Sequence, residues 1–162
     1  MNNLKKLEQK NKELGEEIAR LKAENDDVWP KVGDKHFYID VAGEVGQSNC
    51  WYETENDKLC LEQGNVFRTR EDAEKIVLRR KVEAILMRHS RGFKPDWGDV
   101  KQSKWVLRFG EKGVSVSSFL VFTSCSSIVF ETEEKAEAAK DEVVEKLGEE
   151  ALKQYLRGEL VA

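Results

Sequence analysis

Two histidines, three cysteines and 31 carboxylates are the groups in this chain that could do acid–base, nucleophilic or metal chemistry. Their placement argues against all three. His89 falls on an apolar helical stripe, which predicts a half-buried side chain with its hydrogen bonds satisfied. His36 opens a strand and is expected to be exposed. Neither is flanked by a recognisable nucleophile pattern. Cys50, Cys60 and Cys125 are odd in number and include no CxxC, which points to reduced thiols and away from a disulfide frame. Cys50 and Cys60 could still face each other across a hairpin. With so few His and Cys, no metal site is expected. No phosphate-binding loop or GxGxxG is present, and Gly43, Gly46, Gly64, Gly110 and Gly113 read as turns. Asp26 and Asp27 end a helix, where water accounts for them. The expectation is a protein with no catalytic residue, no cofactor and no metal, hence not an enzyme.

Binding chemistry is better supplied. Trp29, Tyr38, Trp51, Tyr52, Trp97 and Trp105 include the residue types that anchor interfaces or fill small cores. Trp29, Trp51 and Trp97 lie near turns and are expected to be partly exposed. With Arg79, Arg80 and Arg88 they are the candidate partner-binding residues. Ser115, Ser117, Ser118, Thr123, Ser124, Ser126 and Ser127 read as the wet face of a strand. Net charge is −4, so the whole chain does not attract nucleic acid. The charge is uneven: residues 68–91 hold eight basic against four acidic side chains, and residues 131–150 hold nine acidic against three basic. These are expected to be solvated faces or neighbours. A nucleic-acid partner for the basic helix 68–91 is the second reading, and it would be backbone-driven and salt-sensitive. A small nucleotide held in a dimer pocket is the third.

The elements that must position these groups begin with a seam. Leu4, Leu7, Asn11, Leu14, Ile18, Leu21, Asn25 and Val28 keep a strict 3-4 spacing. This places Leu4, Asn11, Ile18 and Asn25 at heptad position a and Leu7, Leu14, Leu21 and Val28 at d. Leu at d with Asn at a favours a parallel two-stranded coil, because paired amides fix the register. Gly15 costs this helix about 1 kcal/mol relative to Ala. Pro30 ends it, since the residue before proline is pushed out of helical geometry. So short a zipper is expected to need support from the rest of the chain. The alternative is a helix folded back on its own domain.

Next comes an internal repeat. Residues 66–74 read VFRTREDAE and residues 129–137 read VFETEEKAE, six of nine identical at an offset of 63. In each copy Val and Phe end a strand. Thr69 and Thr132 serve as N-caps, and Glu71 and Glu134 put negative charge in the first turn. Ala73 and Ala136 open the buried face. Thr69 with Asp72 resembles a capping box with a shortened acid. Strands are expected over residues 36–41, with Phe37, Ile39 and Val41 on one face, then near 44–47, resuming at 50–53, and at 59–61. Before the second copy, Trp105, Leu107 and Phe109 alternate ahead of a return strand at 114–122.

The fold class is therefore α+β: an N-terminal coiled-coil helix followed by two tandem antiparallel β-strand–helix units, ββ(β)α in pattern. The domains are 1–29, the dimerisation helix; 30–94, a first β-β-β-α unit; and 95–162, a second β-β-α unit with a C-terminal helix. Helix 70–90 is apolar on two sides and must be covered twice: Ala73, Ile76, Val77, Ala84 and Met87 face one way, and Leu78, Val82, Ile85, Leu86 and His89 the other. Helix 133–147 has one stripe, Ala136, Ala139, Val143 and Leu147, ending at Gly148. No apolar run approaches the roughly 18 residues of a membrane span, and the first ten residues lack a secretory h-region.

The runs Gly33-Asp34-Lys35-His36-Phe37-Tyr38-Ile39-Asp40, Gly43-Glu44-Val45 and Gly64-Asn65-Val66-Phe67-Arg68-Thr69-Arg70-Glu71-Asp72-Ala73-Glu74 are similar to small proteins carried by phages and prophages of Gram-positive bacteria. The resemblance covers roughly residues 1–90, with a looser echo at 128–157. Cys50, Cys60 and the Ser-rich strand depart from its pattern. It implies an accessory protein in the host bacterial cytoplasm and supplies no catalytic residue. The expected function is a coil-driven parallel homodimer that binds a host protein, as an inhibitor of bacterial defence of the anti-CRISPR type.

Overall fold

The computed structural model describes residues 10, 12–18, 20, 29–119 and 128–161. Residues 12–18 form the described part of an N-terminal helix, α1. Its described residues are all exposed, Leu14 and Ile18 by 57% and 52%. Leu4, Leu7, Asn11, Leu21, Asn25 and Val28 lie outside the described residues, as do Cys125 and the hydroxyls at 123, 124, 126 and 127.

The first unit opens with a hairpin. Strand β1 (His36–Ile39) pairs antiparallel with β2 (Val45–Ser48), Tyr38 opposite Gly46. Asp40 shapes the turn: its Oδ1 accepts from the backbone N–H groups of Ala42 and Glu44 at 2.9 Å each. This ends β1 at Ile39 and leaves Val41 fully exposed. The expected strand through Val41 is thus too long. The Tyr38 ring lies over Gly46, where a Cβ would meet it at 2.5 Å and displace it.

The expected third strand at residues 59–61 is instead inside a helix, α2 (Glu55–Glu62). Thr54 and Asp57 form a reciprocal capping box, which starts a helix there. The third pairing of the unit falls later, at Phe67, which exchanges two 2.9 Å backbone hydrogen bonds with Phe37. Helix α3 (Arg70–Ser90) follows at once, its Asp72 N–H donating to the N-cap hydroxyl of Thr69.

The later half of the described chain has a similar order of elements. Strands β3 (Lys104–Gly110) and β4 (Gly113–Phe119) form a hairpin with Trp105 opposite Ser118. Phe130 then bridges to Trp105 through bonds of 2.8 and 3.0 Å, as Phe67 does to Phe37. Helix α4 (Glu133–Leu147) starts at Thr132, which accepts from the Lys135 N–H. Gly148, at φ +88°, turns the chain into α5 (Glu149–Arg157). Each hairpin is its own two-stranded sheet. In β3 the expected alternation fails: Val106 and Leu107 are both buried while Phe109 is exposed.

Helix α3 joins the units. Ile76 and Val77 pack with Ile39, Phe67 and Ala73 under the first hairpin. Val82, Ile85 and Leu86 pack with Phe130, Ala136, Ala139, Val143 and Leu152 in the larger core. The two covers expected for this helix are therefore the first hairpin and the second unit, although Ala84 and Met87 stay exposed. Basic and acidic helices meet here. Glu142 of α4 accepts from Arg88 and approaches His89 Nε2 at 2.7 Å and Lys146 Nζ at 2.6 Å. No helix among the described residues is long and apolar enough to cross a membrane.

Candidate functional site

A groove of about 540 Å³ opens beside Trp29, where the chain enters the α+β body. Three segments build it. Trp29, half-buried, forms one wall. Val66, Phe67 and Ile76 form an apolar floor at the start of α3. The third segment is the C-terminal tail. Gly158, in the left-handed region at φ +74°, turns the chain after α5. Leu160 is then buried, while Val161 stays 54% exposed at the groove edge.

The rim carries both signs of charge. The Arg68 guanidinium lies over the Trp29 ring, 5.3 Å from its centroid. Arg79 is held to Glu83 at 2.9 Å, which raises the guanidinium pKa further. Asp72 faces the same space. Arg79 and Val161 also border a second cleft of about 430 Å³ along Tyr155 and Leu156. Burial, with Glu83 nearby, pushes the Tyr155 phenol up. At the far end Arg157 stacks on Phe109 at 4.2 Å.

The six candidate partner-binding residues do not gather in one place. Trp29 and Arg79 share the groove. Arg80 is exposed one position further along α3. Arg88 is bound to Glu142 across the helix pair. Trp97 packs near the buried Lys104 ammonium, 5.8 Å from its ring centroid. Trp51 corrects the expectation: it is 2% exposed, buried edge-on to His36 at 5.4 Å and 82°. A position near a turn did not expose it: the segment ahead of β1 is tied to it, Gly33 N–H donating to the Trp51 carbonyl at 2.9 Å.

Arg68 and Val161 were not singled out by sequence reasoning. A signal for Arg68 existed in the repeat. The three positions that differ between the copies are Arg68, Arg70 and Asp72 against Glu131, Glu133 and Lys135. Each reverses its charge, so they are not what the shared fold requires.

A second cluster of polar groups sits behind the hairpin. His36 is 6% exposed, against expectation, and its Nδ1 has no hydrogen-bond partner. Burial raises the Asp57 carboxyl, but the Thr54 and Tyr52 N–H groups and the Thr54 hydroxyl outweigh it and leave it below its usual range. The Cys50 thiol, which reaches the Trp51 carbonyl at 3.6 Å, lies beside the Tyr52 phenol and holds it above its ordinary value. Cys50 and Cys60 are free thiols, with Cys60 on helix α2 and not across the hairpin from Cys50. Among the described residues, no three His, Cys, Asp or Glu side chains converge to hold a metal.

No protein-family model matches the chain, and neither the curated proteins nor the solved structures contain a significant match to it.

Proposed function

We propose that this protein is a non-enzymatic interaction protein: a parallel homodimer, joined through its N-terminal helix, that presents its α+β bodies to a host protein. The observation that carries the reading is the exposure of Leu14 and Ile18, at 57% and 52%, on a helix whose described residues are all exposed. Apolar residues four apart on one helical face stabilise an isolated helix by only about 0.2–0.5 kcal/mol and gain more when another surface covers them. The fold-back alternative would bury them in the same chain. Lys12 with Glu16 and Arg20 with Glu17 occupy other positions of the same helix, leaving the stripe apolar.

The pairing of the basic helix weighs against nucleic acid. Arg70, Lys75, Arg79 and Arg88 face Glu74, Glu71, Glu83 and Glu142. A side chain already neutralised by a carboxylate releases fewer counterions from a phosphate backbone. The narrower role, inhibition of a bacterial defence, follows from the resemblance at residues 33–74.

Orientation is tested by Leu14→Cys. In a parallel, in-register pair the two thiols meet across the seam, and mild oxidation should yield a covalent dimer that the parent chain does not form. Absence of that dimer contradicts the parallel seam. Affinity capture from the bacterial host should return one dominant protein; recovery of none contradicts the partner-binding role.

A further inference from the structure

We propose that the outer edge of β4 is a strand-addition site, taking an extended segment of a protein partner whose residues alternate apolar and polar. This rests on the partner-binding role proposed above and not on the N-terminal seam.

The far side of β3 fixes the direction of the backbone groups. The Trp105 N–H and C=O both bond to Phe130, at 3.0 and 2.8 Å, so neither faces β4. Trp105 stands opposite Ser118, which makes this a pair without mutual hydrogen bonds. Such pairs alternate with bonded ones along an antiparallel hairpin. In the same register Leu107 faces Val116 and Phe109 faces Val114. The N–H and C=O groups of Val114, Val116 and Ser118 therefore all point away from β3. Among the described residues no strand lies on that side, and no backbone hydrogen bond from outside the hairpin reaches these three residues. Three donors and three acceptors stand in a row, repeating about every 6.8 Å. An extended backbone is the partner that matches this spacing.

The sequence leaves this edge unguarded. Edge strands are usually blunted by charge, proline or brevity. Gly113–Phe119 reads GVSVSSF, seven residues with no charge and no proline, in a chain whose charged fraction is 36%. The β2 strand, by contrast, is four residues long. Side chains then select the occupant. Val114 and Val116 are partly buried against the larger core, so they extend its apolar surface to the edge. Ser115 and Ser117 fall on the opposite face, with Ser115 exposed. Alternate residues of an incoming strand would lie beside valine on one face and beside serine hydroxyls on the other.

A synthetic probe peptide of alternating valine and threonine, with lysine at each end, tests the inference on the full chain by residue-resolved hydrogen–deuterium exchange. In the free protein the amides of Val114, Val116 and Ser118 should exchange far faster than those of Ser115 and Ser117. Excess probe should slow these three by about tenfold or more. Methylating every second probe nitrogen should abolish the slowing for one of the two alternating sets and preserve it for the other, because only one set faces β4. A probe that leaves the three amides unchanged overturns the proposal, and so does equal behaviour of the two methylated sets. Slow exchange of the three amides in the free protein also overturns it, since the edge is then already covered by its own chain or by a second copy. The partner-binding role fails separately, when affinity capture returns no protein.

Discussion

Lys104 is wholly buried, and its ammonium is fully employed. Nζ donates to the carbonyl oxygens of Asp99 at 2.8 Å and Gln102 at 2.9 Å, and it faces the Trp97 ring. The loop before β3 is wrapped on this one side chain. Lys104→Met keeps the length and removes the donors, so two acceptors lose their partner. Chemical denaturation should register a loss of about 1–3 kcal/mol; an unchanged midpoint would mean that water replaces the ammonium without cost. Glu142 gives a pH-dependent counterpart. Hydrogen bonds from Lys146, His89 and Arg88 lower its carboxyl from 4.5 to about 2. A carboxyl lowered in the folded state stabilises above its unfolded value and loses that contribution as pH falls through the folded one. The stability gap between the parent and Glu142→Gln should be full near neutrality and should close between about pH 4.5 and about 2. A gap that does not vary with pH would contradict the ion-pair account. Neither environment was legible in the sequence. A buried lysine gives no periodic signal, and the partners of Glu142 on α3 lie more than fifty residues away.

At the scale of elements, the repeat was the most readable feature. Thr69 and Thr132 cap their helices, and Phe67 and Phe130 make the same backbone bridge to Phe37 and Trp105. Identical residues mark what the two units share, and the charge-reversed ones mark where they differ. Helix α4 was legible to the residue because its stripe is single and Gly148 closes it. The strand expected at residues 59–61 was misread because three apolar-rich residues fit either period, and the Thr54–Asp57 capping box decided for helix. That helix buries none of its residues, and Leu59 remains 52% exposed. Little tertiary burial holds it, so its amides should exchange with deuterium far faster than those of α3, whose Val82 and Leu86 are in the core. Equal protection of α2 and α3 would show that another surface covers α2. The α3–α4 contact makes the opposite demand. Ala136 and Ala139 are wholly buried there, so Ala139→Leu should overpack the helix pair and cost about 1–3 kcal/mol. A thermal midpoint as high as the parent's would show slack in that contact.

For the molecule as a whole, the two units are one body because α3 contributes to both cores. Its first turns lie under the β1–β2 hairpin and its last turns against α4 and α5. The two-sided apolar pattern of this helix foretold that it would be covered twice. The candidate groove was half legible: Trp29 and Arg79 were chosen from residue type alone, whereas Arg68 and Val161 depend on which segments the fold brings beside Trp29. Trp51 was chosen by the same rule and is core. The account of function turns on a different surface, the exposed stripe of α1. Replacing Leu14 and Ile18 by charge removes the attraction at side chains that are largely exposed in the single chain. Light scattering of the full chain at micromolar concentration is the direct test. The account predicts twice the mass of one chain for the parent and the mass of a single chain for the double variant Leu14→Glu with Ile18→Glu. A single-chain mass for the parent, or an undiminished double mass for the variant, would contradict it.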